Sequence, residues 1–371
     1  MMNEMQQEAG NNSQQLQIKD CNIHFGIDEK RAREISNEIF DARRKELSIE
    51  ALTEAKKRIQ NFEDELIKRM QKVENSFNAF SDPAFQFLLL EAQKTAAKTN
   101  RSVDYELLSE LLINKTKTTN NSNIRVGISR AIEVVDDVSD DSLIALTVFI
   151  ATLYNPITGN MAEGLDIIDN LFEKALYRNL PNPTENEWLD NLDIVGAIRL
   201  SSIGTLNKFE KMYLEKLPGY CVVGIKKDSD TYKKVLDMLN IVDLPSSILC
   251  DNILDENYVR LQITKEDDID KLEWKFSTNI GIPPLASTIH KPLTKEQKET
   301  LHKIYSMYDN KSELINSFKE KFYKEMEKRE SLNLIQEWWN KIPRAFDVTA
   351  IGKALAYANL KRLSPNIPEM K

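Results

Sequence analysis

Cysteine is scarce in this sequence, since Cys21, Cys221 and Cys250 are its three cysteines among 371 residues. Three widely spaced thiols do not form the disulfide framework of a small secreted protein, which favours a reducing compartment. The first residues, "MMNEMQQEAGNNSQQ", also lack the basic and apolar regions of a signal peptide. We therefore expect a cytoplasmic protein.

Histidine is equally scarce, with His24, His290 and His302 making up the full set of three. None of them forms a pair at the helical spacing that is typical of zinc ligands. The sequence also lacks a complete phosphate-binding loop, because "GNMAEGL" is not followed by the lysine and hydroxyl residue that hold phosphate and metal. We predict no metal and no cofactor.

An excess of positive charge is absent, because 50 lysines and arginines stand against 58 acidic residues, a net charge of −8. This balance opposes a broad nucleic-acid surface and binding to anionic membranes. The longest apolar run, "LIALTVFIATLY" at 143–154, is shorter than the roughly 20 residues of a membrane span. We interpret it as a buried helix and expect no association with membranes.

Proline and glycine are both missing from about residue 28 to residue 77, where charged residues are dense. This composition predicts one long helix, or two helices joined near Ser48. Ile59, Phe62 and Leu66 belong to a series of apolar residues spaced by three and four positions, which is typical of a coiled-coil seam. Other helices of the chain or a second copy must cover this seam.

Residues 1–26 form a polar lead that ends in "LQIKDCNIHFG", whose alternating pattern predicts a short strand or hairpin. An unpaired strand edge can pair with another chain. Together with the seam, this predicts a homo-oligomer with an interface at five apolar residues. They are Ile18, Ile23, Ile59, Phe62 and Leu66.

Two prolines in "LPNPTENEW", 180–188, predict the end of an all-helical domain over 27–180. Strand-like stretches such as "YVRLQI" then alternate with helical ones, which predicts a small α+β domain over 189–290. A C-terminal helical unit follows over 291–371. The predicted fold class is mainly α, with a long coiled-coil-like helix in the N-terminal domain, a small α+β middle segment and a helical C-terminal segment.

Within the α+β segment, Glu273 and Lys275 stand in "DDIDKLEWKF" on a predicted strand. An acidic residue followed two positions later by lysine is typical of a nuclease fold whose carboxylates bind a divalent metal. The same pair also occurs at Glu54/Lys56 and Glu296/Lys298, so chance explains it readily. A metal-dependent nuclease is therefore kept as an alternative.

The stretch "FDVTAIGKALAYANLKR", 346–362, combines a strand pattern with a helix. Thr349 is suited to cap the helix, Gly352 permits close approach in its first turn, and Asn359 completes the motif. This arrangement is common at the end of winged helices, which bind DNA, and Lys361 and Arg362 supply positive charge. The Ala-rich face favours packing, because a few basic residues alone are too small an electrostatic term to specify DNA binding. A DNA-binding regulator that uses this C-terminal unit is therefore kept as a further alternative.

Several stretches together resemble an uncharacterised, locus-tag-named family of bacterial proteins that is associated with mobile elements and anti-phage defence neighbourhoods. The stretches are Asn22 and Ile23 followed by Gly26, "GIDEKRAREI" with Ala32, Arg33 and Glu34, "EAQKTAA" with Ala92 and Gln93, and "VTAIGKALAYANLKR". The stretch "LPGYCVVGI" matches the family only loosely. The resemblance implies a biological context and assigns no catalytic residue.

These observations predict a non-catalytic interaction, sensing or oligomerising component of a bacterial anti-phage defence system. Its partners are expected to be a second copy of itself and another protein, whereas nucleic acid is restricted to the C-terminal alternative. The composition offers no clustered nucleophile, base or metal ligands of the kind that a self-contained enzyme uses.

Overall fold

A computed structural model describes residues 27–41, 49–117, 122–156, 158–175, 180–279 and 286–367. The side chains of 274–279 and 286–291 are outside this description. The model confirms the predicted fold class, because the described ranges are mainly helical with a few small strands and contain no closed sheet. The predicted strand or hairpin that carries Ile18 and Ile23 lies outside the described residues.

Helices make up the first half of the described chain, and its strands begin at residue 198. The helices are α1 (Glu29–Asp41), α2 (Ile49–Met70), α3 (Pro83–Lys98), α4 (Ser102–Lys117), α5 (Ser122–Val134), α6 (Asp140–Ala151), α7 (Met161–Ala175), α8 (Glu187–Ile194), α9 (Phe209–Lys216), α10 (Pro218–Cys221), α11 (Asp230–Ile241), α12 (Lys295–Ser306), α13 (Ser312–Glu327), α14 (Glu330–Trp339) and α15 (Ala350–Leu363). The strands are β1 (Ile198–Leu200), β2 (Ile225–Lys226), β3 (Leu249–Asp251), β4 (Tyr258–Leu261), β5 (Glu273–Asn279), β6 (Ala286–Pro292) and β7 (Phe346–Val348).

Local signals position the helix starts. The Asp82 carboxylate accepts the N–H of Ala84 and Pro83 is the first residue of α3, because proline has no N–H that needs a partner there. Ser139 caps α6 in the same way by accepting the N–H of Ser142. Every residue of α6 from Ser142 to Ala151 is buried, which confirms that the apolar run is an internal helix.

The apolar seam of α2 packs inside the chain. Ile59, Phe62 and Leu66 are 4%, 0% and 1% exposed, and α2 contacts α3 and α4. This corrects the expected interface role of these three residues, because side chains buried in the chain's own core are not available to a second copy. Self-association stays a prediction that no longer draws support from the seam.

The hydrophobic packing does not follow the three predicted domain ranges. One apolar cluster includes residues from Ala32 to Ile367, so it takes in the N-terminal helices and the end of the chain. The terminal helix α15 contacts α4, α5 and α6. Strand β1 pairs antiparallel with β7, so residues beyond the prolines at 180–188 join the same body as the helices before them.

A second, smaller apolar cluster forms the α+β unit. Antiparallel strands in the order β2-β4-β3 pack against α11 and α12, with Leu261, Leu301 and Ile304 nearly inaccessible to water. Helix α12 lies in the range predicted for the C-terminal unit, yet it completes this core. The remaining pair, β5 and β6, is an antiparallel hairpin that aligns Glu273 with Pro292.

Arg260 on β4 joins the two clusters. Its side chain is 2% exposed and donates to the carbonyls of Leu261 at 2.9 Å, Ile263 at 3.2 Å and Gly159 at 2.7 Å. Its guanidinium also lies 5.8 Å from the centroid of the Tyr220 ring. Gly159 precedes α7 in the helical body, so the Arg260 side chain links the α+β unit to the helical body.

Trp338 and Trp339 are internal, as predicted. Their indole N–H groups donate to the carbonyls of Pro181 and Asn207, each at 2.8 Å. The Trp339 ring is stacked on Phe149 with a centroid separation of 4.2 Å. These rings therefore form the core beside α6 and are not a stacking platform for bases.

Candidate functional site

The C-terminal motif is a packing device that begins at Thr349. Its hydroxyl oxygen accepts the N–H of Gly352 at 3.2 Å, which caps α15, and its hydroxyl group donates towards the Gly196 carbonyl at 2.7 Å. Its backbone N–H donates to the Ala197 carbonyl at 3.0 Å. The same residue therefore fixes both the start of the terminal helix and its position beside β1.

Gly352 lies against backbone. A Cβ atom at this position would lie 2.1 Å from the Ala197 carbonyl oxygen and 2.9 Å from a methyl group of Val348. The first of these distances is far inside van der Waals contact, so no larger residue fits without movement of β1 or β7. This confirms the close packing that the sequence predicted for the motif.

The terminal helix is enclosed by protein, since every residue from Ala354 to Leu360 is buried. The Asn359 amide donates to the Thr147 hydroxyl at 2.7 Å and its oxygen accepts from Arg362 at 3.0 Å. This burial means that α15 itself is a packing helix, as the Ala-rich pattern favours. The DNA-binding alternative for the C-terminal unit stays a prediction. Lys361, one of the basic residues that could contact DNA, donates to the Ile367 carbonyl within the protein.

Two stretches that carry the family resemblance lie on α1 and α3, where these helices contact one another. Ala32 on α1 and Ala92 on α3 are both fully buried, and the two helices contact one another. The Gln93 amide donates to the Ser36 hydroxyl at 2.9 Å and to Glu63 at 3.0 Å. The Ser36 hydroxyl donates to the same Glu63 oxygen at 2.7 Å, so a buried polar node joins α1, α2 and α3.

Glu63 is the ionisable member of this node and is 6% exposed. Burial raises its pKa, whereas the hydrogen bonds from Ser36 and Gln93 and the charge of Arg33 act in the opposite direction. Burial has the larger effect, so the folded protein holds this proton at pH values where the unfolded chain has released it. The stability of the fold therefore falls as pH rises from the unfolded pKa to the folded one.

We expect Glu63→Gln to raise the melting temperature at pH 7, because glutamine keeps the acceptor oxygen without the cost of a buried charge. The gain should disappear near pH 3, well below the ordinary glutamate pKa of about 4.3, where Glu63 itself is protonated in both states. Thermal melts at both pH values test this. Glu50→Gln, at an exposed position on the same helix, is the control, and an equal gain in both variants would contradict the role of burial.

The proposed nuclease residues are only partly described. Glu273 is exposed at the start of β5, and the Lys275 side chain lies outside the described residues. Across the part of the chain that the structure describes, no group of three or more His, Cys, Asp or Glu side chains could hold a metal ion. His302 instead lies 3.1 Å from Glu266 and 3.6 Å from Asp270, and both carboxylates raise its pKa. The nuclease alternative stays a prediction.

A cavity of about 990 Å³ opens where the 3-10 helix Ser76–Ser81 meets the start of α3, the end of α4 and the start of α5. Lys115 on α4 and Arg125 on α5 are among its lining residues. Burial lowers the pKa of Lys115, and the positive charge of Arg125 lowers it further, although Asp82 opposes them. We name this the α4–α5 cavity.

A second cavity, of about 1020 Å³, lies beside α7 and the end of the described chain. Its lining is more apolar and includes Ile167, Ile168, Leu171 and Ile367. Ile167 is 47% exposed, so part of this apolar surface is open to solvent. We name it the α7 cavity.

Sequence reasoning missed both cavities. The segment "NKTKTTNNSN" indicates only a polar joint between helices, although Lys115 lies in it and Arg125 follows it closely. The available signal was the closeness of two basic residues on either side of a helix break. Without the packing of α4 against α5, that spacing does not show that both side chains reach the same space.

A protein-family model matches residues 26–368, so the chain belongs to the family that this model describes over nearly its whole length. The match is consistent with the uncharacterised, locus-tag-named family that the sequence resembles. No curated protein and no solved structure matches the chain. Among the described helices, none combines the length and apolar character that crossing a bilayer requires.

Proposed function

We propose that this protein is a non-catalytic interaction or sensing component of a bacterial anti-phage defence system. In this proposal it acts in the cytoplasm, self-associates and passes a signal to another protein. The biological context comes from the family resemblance, whose stretches run from Asn22 to the C-terminal motif.

The observation that carries the sensing role is the pair of cavities of about 990 and 1020 Å³ in the helical body. Each has the volume of a pocket for a small molecule, for which roughly 300–1,000 Å³ is usual. Both are built from helices of one continuous hydrophobic core. A ligand that fills either cavity can therefore change the packing of elements that are distant in sequence.

The C-terminal motif supports a structural rather than a chemical role for the residues that the sequence singled out. Thr349 and Gly352 contact the backbone that immediately precedes β1, and Asn359 contacts α6. Residues used in this way position the helices that enclose the cavities. They are not available as nucleophile or base.

We expect deletion of the gene to change plaque counts or plasmid-transfer frequency in a bacterial host that retains the neighbouring genes. The neighbours are required because a sensor has no readable effect without its effector. Restoring the gene should restore the phenotype. Equal plaque counts and transfer frequencies with and without the gene, against a broad phage panel, would overturn the proposal.

Assays on the purified protein distinguish the alternative functions. We expect it to cleave neither DNA nor RNA in the presence of magnesium or manganese, and light scattering reports its self-association. Cleavage that disappears in Glu273→Gln would favour the nuclease instead. A stable monomer at micromolar concentration would remove self-association from the proposal while leaving the sensing role.

A further inference from the structure

Two positive side chains face the α4–α5 cavity without a bonded counter-charge. Lys115 is half-buried and Arg125 is exposed, and neither side chain has a hydrogen bond or an ion pair within the described residues. They are close enough for the charge of Arg125 to affect the ionisation of Lys115. Like charges held together in this way are unfavourable, and a bound anion would relieve the repulsion.

The other charges of the cavity are largely engaged elsewhere. Arg130 forms an ion pair with Glu133 at 2.6 Å. The Asp82 carboxylate accepts the N–H of Ala84, and its effect on the pKa of Lys115 is smaller than the opposing effect of Arg125. Lys117 also has an interaction partner. Glu74 is exposed, where water screens its charge. Lys115 and Arg125 are therefore the cations that remain available to a ligand.

The chemistry of these two side chains favours phosphate. The planar guanidinium of Arg125 can donate two parallel hydrogen bonds to phosphate oxygens, and the ammonium of Lys115 acts as a compact charge. The exposed amides of Asn75 and Asn78 also line the cavity and supply neutral donors. A volume of about 990 Å³ exceeds the needs of inorganic phosphate and suits a molecule of nucleotide size.

We propose that the α4–α5 cavity binds a phosphate-bearing small molecule of nucleotide size, with Lys115 and Arg125 holding the phosphate. This inference rests on the proposed sensing function, for which it names the chemical class of the ligand. The binding is electrostatic and hydrogen-bonded, and it needs no chemical step.

Isothermal titration of the 371-residue protein with adenosine triphosphate, pyrophosphate and adenosine tests the proposal. We expect the two phosphate compounds to bind and adenosine to bind far more weakly. Lys115→Gln and Arg125→Gln should each weaken binding about tenfold or more, because each removes a charge-assisted hydrogen bond. Lys115→Arg should retain binding, since it keeps the charge.

Lys234→Gln is the matched control, because Lys234 is exposed on α11 in the other unit. Thermal melts without ligand show whether each variant folds. Absence of binding by both phosphate compounds, or equal binding by the three glutamine variants and the unaltered protein, would overturn the inference. Tighter binding of a single-stranded oligonucleotide than of adenosine triphosphate would overturn it in favour of nucleic acid.

The proposed function and this inference can fail separately. If deletion of the gene changes plaque counts but phosphate compounds do not bind, the sensing role stands and the ligand class is wrong. If the compounds bind through Lys115 and Arg125 but deletion has no effect, the site stands and the defence role is wrong.

Discussion

Replacing Gly352 with leucine is expected to destabilise the fold by about 3 kcal/mol or more, through overpacking against backbone. Even the first added carbon would lie 2.1 Å from the Ala197 carbonyl oxygen, and backbone cannot turn aside as a flexible side chain can. To make room, α15 must move away from β1. That movement would also lengthen the hydrogen bonds that Thr349 makes to Gly196 and Ala197.

Lys353→Leu is the matched control for this prediction. It introduces the same side chain one position further along α15, at an exposed site. Gly352→Ala gives an intermediate test, because it adds only the clashing carbon. Denaturant unfolding measures all three variants, and similar stabilities for Gly352→Leu and Lys353→Leu would show that the contact with Ala197 is not limiting.

The sequence predicted the helical elements well because their signals are local. Asp82 and Pro83 mark the start of α3 through hydrogen bonding and backbone geometry within one turn. Thr349 does the same for α15. The apolar run of α6 needed no knowledge of its neighbours, since a helix that is apolar on all sides must be buried.

The domain boundaries could not be predicted in the same way. The prolines at 180–188 mark a change in local structure, but β1 pairs with β7 about 150 residues further along the chain. Pairing between three-residue strands depends on the surrounding tertiary structure more than on strand propensity. For the same reason the seam of α2 gave no sign that α3 and α4, rather than a second copy, would cover it.

The candidate site was harder still to predict, because a cavity is a property of packing. Thr349 and Gly352 were found since their roles depend on backbone conformation at the start of a helix. Lys115 and Arg125 lie on different helices, and their approach is set by the angle at which α4 and α5 meet. No local pattern contains that angle.

Substitution of Arg260 is the other change expected to cause a large loss of stability, because Arg260 is a buried cation whose identified acceptors are backbone carbonyls. These carbonyls are those of Leu261, Ile263 and Gly159, and the Leu261 carbonyl also accepts the N–H of Ile263 at 3.0 Å. Arg260→Met fills much of the same volume but leaves the carbonyls without those bonds. We expect a loss of about 3 kcal/mol, because hydrogen bonds to a charged group contribute roughly 1.5–3 kcal/mol each, whereas removal of the buried charge offsets part of that loss.

The position of Arg260 predicts which contact fails first. Gly159 belongs to the helical body, whereas Leu261 and Ile263 belong to the α+β unit. The substitution should therefore weaken the contact between the two units, here called the joint, before either hydrophobic core opens. Hydrogen exchange should then show faster exchange at the N–H of Gly219, which donates to Thr264 at 2.7 Å beside the joint. Arg199→Met, at an exposed position on β1, is the control and should change stability by less than about 0.5 kcal/mol. Equal stability of the two variants would mean that water replaces the arginine donors, and that the other contacts between the two units, such as the Gly219–Thr264 hydrogen bond, are enough to hold them together.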